Sequence, residues 1–240
     1  MLEKKSSLKR RIILAAGILI GIFVIIPLLF SLFNNVELGN VALIPVEGVI
    51  MGSEGSSFGS TVVSSKEIVK FIEKAESNPA IKAIVIEINS PGGSAVASDE
   101  IGQALKKATK PTVAYIREVG ASGGYWIASA TDHIITNRMT ITGSIGVISS
   151  YLEFSGLMED YGVSYERLVS GERKDLGTPY RKLNEADKSL YQTKINKIHD
   201  FFVQEVSENR NLPLANVQKL ATGEIYLGVE AIENGLIDEL

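Results

Sequence analysis

Residues 81–107 read IKAIVIEINSPGG and then SAVASDEIGQALKK, and the fold class follows from that order. Ile81–Ile88 is an apolar, β-branched run of the kind found in strands buried within parallel sheets. Asn89–Gly93 interrupts it with Pro91 and two glycines, and Ser94–Lys107 reads as a helix. Pro111–Arg117 is the next strand. A second glycine-rich turn, Gly120–Gly124, then opens a further helix through about Ala130. Strands separated by single helices define an α/β domain with a largely parallel sheet.

The same alternation extends in both directions. Val41–Ile50 is β-rich, and Gly52–Gly59 (GSEGSSFG) is a polar loop. Lys66, Ile68, Val69, Phe71, Ile72 and Lys74 belong to an amphipathic helix that stops before Asn78-Pro79. Downstream, Asp132–Thr136 is a short strand, Val163–Val169 is read as another, and a long amphipathic helix covers about Glu185–Glu208. No internal repeat or low-complexity tract interrupts this region.

Composition narrows the chemistry. The 240 residues include no cysteine, which removes disulfides, thiolate catalysis, Fe–S clusters and cysteine zinc sites. Two histidines, His133 and His199, leave little material for a histidine-built metal centre, so no metal and no organic cofactor is expected. The formal net charge of -4 gives no bulk attraction to nucleic acid.

Charge is distributed unevenly. Residues 1–11 carry Lys4, Lys5, Lys9, Arg10 and Arg11 against the single acid Glu3, whereas residues 12–33 (IILAAGILIGIFVIIPLLFSLF) carry no charge. At 1.5 Å per residue such a run spans a hydrocarbon core of about 30 Å as a helix. It exceeds the apolar region of a signal peptide, and Ser31–Asn35 offers no small-residue cleavage site. The expected organisation is a basic cytoplasmic tail at 1–11, a transmembrane helix at 12–33 and an extracytoplasmic domain at 34–240. Pro27 is tolerable in a membrane helix.

Two turns hold the candidate chemistry. In Asn89–Gly93 the paired glycines let the backbone approach a ligand and aim N–H groups at an anion. Gly120-Ala121-Ser122-Gly123-Gly124 fits the G-x-S-x-G pattern of a nucleophile on a strand-to-helix turn, with Ser122 at a helix start that favours a developing oxyanion. Both turns lie at the C-terminal ends of parallel strands, where α/β sites assemble. A serine nucleophile needs a base. His199 falls inside the long helix and reads as a helix-surface residue, while His133 beside Asp132 reads as a local hydrogen-bonding residue. A lysine serves if it is neutral, a state that burial favours. Composition alone singles out no lysine.

Four motifs in order, Asn89–Gly93, Gly120–Trp126 (GASGGYW), Thr142–Val147 (TGSIGV) and Ser170–Lys174 (SGERK), resemble the signal peptide peptidase A family. Its members are membrane-anchored Ser-Lys peptidases related to the Clp protease proteolytic subunit and the crotonase fold. The resemblance covers nearly all of residues 40–240. It implies Clp protease/crotonase-like repeated β-α units, with Ser122 as nucleophile, Lys174 as general base and Ser144 orienting the lysine amine. The backbone N–H groups of Gly93 and Gly123 would form the oxyanion hole. It further implies a homo-oligomer in which serine and lysine come from adjacent protomers. The substrates implied are cleaved signal peptides and other membrane-proximal or unfolded peptides, bound as added strands beside Gly92-Gly93 in pockets for small or aliphatic side chains. Longer members continue past a segment like Gly235–Leu240, so contacts carried by such an extension are not expected. Tyr125 and Trp126 read as packing residues behind the site, and Glu87 has no role on this reading. The competing functions are a protease for specific membrane proteins, a crotonase-like acyl-CoA enzyme, an α/β-hydrolase using His199, and a non-catalytic membrane scaffold.

Overall fold

The structure, a computed structural model, describes residues 14, 17, 19–26, 39–53 and 61–240. It divides into two units, residues 1–40 and 41–240. In the first, the described backbone between residues 14 and 26 is helical and includes a π-helical turn at Gly21–Ile25. Leu19, Ile20, Ile22, Phe23, Val24, Ile25 and Ile26 are all exposed. Among the described residues no helix is long and apolar enough to cross a membrane. Much of the expected span at 12–33, and most of the Gly52–Gly59 loop, lie outside the described residues.

The second unit is the α/β domain. Strands β1 (Val41–Glu47), β4 (Ala83–Ser90) and β5 (Thr112–Ala121) pair in parallel in the order β1-β4-β5. The far edge of β5 is shared by two short parallel strands. β6 (His133–Thr136) takes Val113–Ile116, and β7 (Ile141–Gly143) takes Val119–Ala121. β8 (Ile225–Leu227) closes the sheet antiparallel to β7. A separate parallel pair joins β2 (Val49–Met51) to β3 (Val62–Ser64), so the expected run Val41–Ile50 splits at Gly48 between two sheets.

Period-two patterning fixes which face is the core. On β4, Ile84, Ile86 and Ile88 are buried, while Ala83, Val85, Glu87 and Asn89 are half-exposed. The fully buried strand expected at Ile81–Ile88 is therefore buried on one face. On the open face Leu43 is 61% and Tyr115 42% exposed. Glu87 also finds its place there, 3.4 Å from Arg117 on the neighbouring strand.

Helices cover the other face. α1 (Ser65–Ser77) buries Ile68, Ile72 and Ala75, one stripe at helical spacing. α2 (Ala95–Lys106) is capped by Ser94, whose Oγ accepts from the Ala97 N–H at 3.4 Å. α3 (Gly123–Ser129) is buried at every residue. Its Tyr125 hydroxyl donates to the Leu236 carbonyl at 2.8 Å, and burial pushes that phenol's pKa upward.

From Val147 to Asn184 the chain has a different character. It contains one short helix, α4 (Ser155–Asp160), and no buried residue. Val163–Val169, expected as a strand, makes no ladder in this chain. A strand needs a neighbouring edge for its N–H and C=O groups, and none lies alongside. α5 (Glu185–Asn209) returns to the core only in its second half, through Phe202, Val203 and Val206. α6 (Leu214–Leu220) and α7 (Gly228–Glu233) complete the unit.

Candidate active site

The two glycine turns pack directly on each other. After β4, the Ser90 Oγ donates to the Gly48 carbonyl at 2.6 Å and accepts from the Gly92 N–H at 3.1 Å, fixing the start of the turn. The Gly92 carbonyl then accepts from Ile50 N at 2.9 Å, and Ser94 N donates to the Ile50 carbonyl at 2.8 Å. β2 thereby holds residues 92–94 as a short extra strand, with Gly93 bridged to Ile50.

Glycine is required at this contact. A Cβ on Gly92, whose φ is +100°, would lie 2.7 Å from the Gly123 N and 2.8 Å from the Ser122 Cβ. One on Gly123 would meet the Ser98 Oγ at 2.3 Å and the Gly93 N at 3.3 Å. The Gly93 and Gly123 amides are thus near neighbours. Among the described residues neither N–H donates to a backbone carbonyl, and Gly123, as the first residue of α3, has no intrahelical acceptor.

Ser122 joins β5 to α3 with φ 53° and ψ -121°. An L-residue adopts that conformation at a cost of about 1–3 kcal/mol, and it persists only where the surroundings impose it. Here the Ser122 N–H donates to the Gly143 carbonyl at 2.8 Å, and its carbonyl accepts from Trp126 N at 2.9 Å. The Oγ makes no capping bond to the helix below it. Ser144 has φ 51° and donates its N–H to the Glu224 carbonyl at 2.7 Å. Among the described residues three non-glycines have positive φ, and two of them, Ser122 and Ser144, line the same cavity.

That cavity holds about 740 Å³, with Gly93, Ser122, Gly123 and Ser144 on one wall. Trp126 and Phe202, stacked at 4.6 Å between ring centroids, form its apolar base. Trp126 is therefore part of the lining, whereas Tyr125 is packing, as the sequence predicts. The lining also includes a stripe of α5, Gln192, Ile195, Asn196 and His199, at helical spacing. Among the described residues no Asp, Glu, Lys or Arg lines the cavity.

Lys174 is not brought to it. It is exposed, in a series of turns between Ser170 and Leu176, where its N–H donates to the Gly171 carbonyl at 3.0 Å. His199, expected on the helix surface, is half-buried at the cavity wall, with Nε2 2.9 Å from the Ala221 carbonyl. A carbonyl only accepts, so Nε2 carries the proton in this bond. The helical spacing of Gln192, Asn196 and His199 was the available signal for this wall, but the sequence does not say which stripe of α5 faces Ser122. His133 is bonded to the end of the chain, with Nε2 3.3 Å from Glu239. Among the described residues no group of three or more His, Asp or Glu could hold a metal ion.

The model of peptidase family S49 matches residues 104–240, which include Ser122, Ser144 and Lys174. The chain belongs to that family. It is similar to Protease 4 of Haemophilus influenzae, 36% identical over 203 residues, 83% of this chain and 32% of that protein. Serine protease SPPA, chloroplastic, of Arabidopsis thaliana is 31% identical over 203 residues, 82% of this chain and 30% of its own length. Protease 4 of Salmonella typhi is 31% identical over 208 residues, covering 84% and 32% respectively. This chain spans about a third of the length of these three proteins. The family match agrees with the signal peptide peptidase A resemblance carried by the four sequence motifs.

Proposed function

We propose that the chain is a membrane-anchored serine endopeptidase in which Ser122 attacks the scissile carbonyl. The observation that carries this reading is Ser122 held at φ 53° in the lining of the cavity, beside the N–H groups of Gly93 and Gly123, which among the described residues donate to no backbone carbonyl. The tetrahedral oxyanion would sit between those two N–H groups, because preorganised donors act most strongly on charge that develops in the transition state. Lys174 would take the Ser122 proton, deliver it to the leaving amine and then activate water on the acyl-enzyme. Ser144 would orient the lysine amine. None of these steps calls for a metal or organic cofactor.

Lys174 would reach Ser122 from a neighbouring copy of the chain. The exposure of residues 147–184 supports this: Ile148 is 90% and Leu168 96% exposed, and soluble surfaces rarely leave so many apolar side chains uncovered in one segment. The substrates would be remnant signal peptides and other membrane-proximal peptides, extended along residues 92–94. The uncharged run at 12–33 with its basic flank supports a single-pass anchor with the domain on the extracytoplasmic side.

A second reading has one observation in its favour, namely that His199 lines the cavity and Lys174 does not. Its Nε2 proton is already given to Ala221, however, and among the described residues no carboxylate lines the cavity to form a triad with it. The test is hydrolysis of an internally quenched apolar peptide by the full chain in detergent, comparing wild type with Ser122→Ala, Lys174→Ala and His199→Ala. Loss in the first two with retention in the third is expected. Retention in Lys174→Ala with loss in His199→Ala would transfer the base to His199.

A further inference from the structure

The segment that carries Lys174 has almost no apolar anchorage, yet one ionic cluster is built into it. The Asp175 carboxylate, 8% exposed, lies between two guanidinium groups. Arg167 meets it through Nε at 2.7 Å and Nη2 at 2.8 Å, and Arg181 through Nε at 2.8 Å and Nη2 at 3.2 Å. Arg181 also reaches Asp187 in the first turn of α5 at 3.0 Å. The Asp187 N–H in turn donates to Oδ1 of the Asn184 cap at 2.8 Å. Arg167 Nη2 donates as well to the Glu172 carbonyl, two residues before Lys174. Asp175 is thus tied to residue 167 on one side and, through Arg181, to the start of α5 on the other.

Resting on the Ser-Lys reading above, we propose that Arg167, Asp175 and Arg181 form a positioning clamp for Lys174, which fixes its turn and keeps the adjacent carboxylate from pairing with its amine. Both effects follow from valence and charge. A carboxylate offers about four acceptor sites, and the four guanidinium contacts occupy them. Without the clamp, the carboxylate of Asp175, next in sequence to the lysine, would be free of its partners. A free neighbouring carboxylate stabilises the ammonium, the form that cannot act as base. Among the described residues Lys174 makes no ion pair, although Glu172, Arg173 and Asp175 flank it. The two guanidiniums hold the Asp175 carboxyl well below the usual carboxylate range, so the clamp stays charged throughout any pH at which a lysine could be neutral.

The two halves of the clamp carry opposite charge, and that separates the proposal from a merely structural role. Arg167→Met removes a cation and frees part of the carboxylate, so the acid limb of the pH–rate profile should move up by about half to one unit. Asp175→Asn leaves two cations uncompensated near the lysine, so the limb should move down by a similar amount. Both should lower kcat about tenfold with little change in KM. Arg167 is the better arginine to replace, because Arg181 also neutralises the nearly buried Asp187.

The assay is hydrolysis of an internally quenched apolar peptide by the full chain between pH 6 and 10, with thermal unfolding of each variant in parallel. Opposite displacements establish the clamp. Unmoved limbs, or equal displacements in one direction, overturn it whatever happens to stability. Lys174→Ala is run alongside. If that variant keeps activity, the Ser-Lys reading has failed first, a result distinct from an inactive Lys174→Ala beside two unmoved limbs.

Discussion

The surroundings of Ser122 and of Lys174 differ in what holds them. Around Ser122 the constraints are backbone constraints. A strained turn is pinned by the Gly143 carbonyl, two glycine loops touch at distances that exclude a Cβ, and a helix lies buried at every residue. Around Lys174 the backbone is a string of turns with no buried residue from 147 to 184, and order comes from side-chain charge. One half of the proposed site is thus complete within a single chain. The other leaves apolar side chains such as Ile148 and Leu168 exposed.

The largest effects are expected where the chain is complete. Ser122→Ala should abolish peptide hydrolysis, by at least about 10³-fold, since a nucleophile's removal leaves only binding and oxyanion stabilisation. It should not unfold the protein. Ser122→Gly sharpens the point, because it is equally inactive yet relieves the backbone strain, and should unfold about 1 kcal/mol later in a denaturant titration. Gly92→Ala should fail in the opposite sense. Its Cβ would press on the Gly123 amide from a φ of +100°, so a loss of about 2–4 kcal/mol in stability is expected together with loss of activity.

Lys174→Ala breaks the comparison from the other side. It should match Ser122→Ala in lost activity, yet leave thermal stability unchanged, because the residue is exposed and, among the described residues, makes no ion pair. If adjacent copies complete each site, mixing the two inactive variants under subunit exchange should restore measurable hydrolysis. Absence of any recovery, with mixed oligomers demonstrated, would assign serine and lysine to the same chain.

The same contrast explains what could be read from the sequence. β4, β5 and the helices after them were legible because apolar periodicity and glycine turns are local signals, and they appear within a few residues of the expected bounds. Ser122 was legible because its conformation is encoded by its glycine neighbours. β7 and β8 were not, since three-residue strands are chosen by the sheet edge they meet rather than by their own pattern. Val163–Val169 went wrong for the converse reason: its residues favour a strand, but within the chain no edge receives it. The α5 wall of the cavity depended on how a long helix docks, and its buried apolar anchors Phe202, Val203 and Val206 lie in its second half, away from most of that wall.

The smallest expected effect concerns His199, and it tests whether the cavity wall belongs to the chemistry or only to the shape. Its Nε2 proton joins α5 to Ala221, two residues before Gly223, whose N–H in turn holds the Ile145 carbonyl beside Ser144. His199→Gln can keep a donor near that carbonyl, whereas His199→Ala leaves the carbonyl without it, at about 1 kcal/mol of stability. If His199 only braces the wall, the Gln variant should retain kcat within about threefold, and the Ala variant should lose a little more through KM. Neither should change the shape of the pH–rate profile, because a group whose proton is structural contributes no ionisation to the reaction. A profile that lost a limb near the ordinary histidine range in both variants would make His199 a participant in proton transfer. The polar wall would then belong with Ser122 to the reacting half of the molecule.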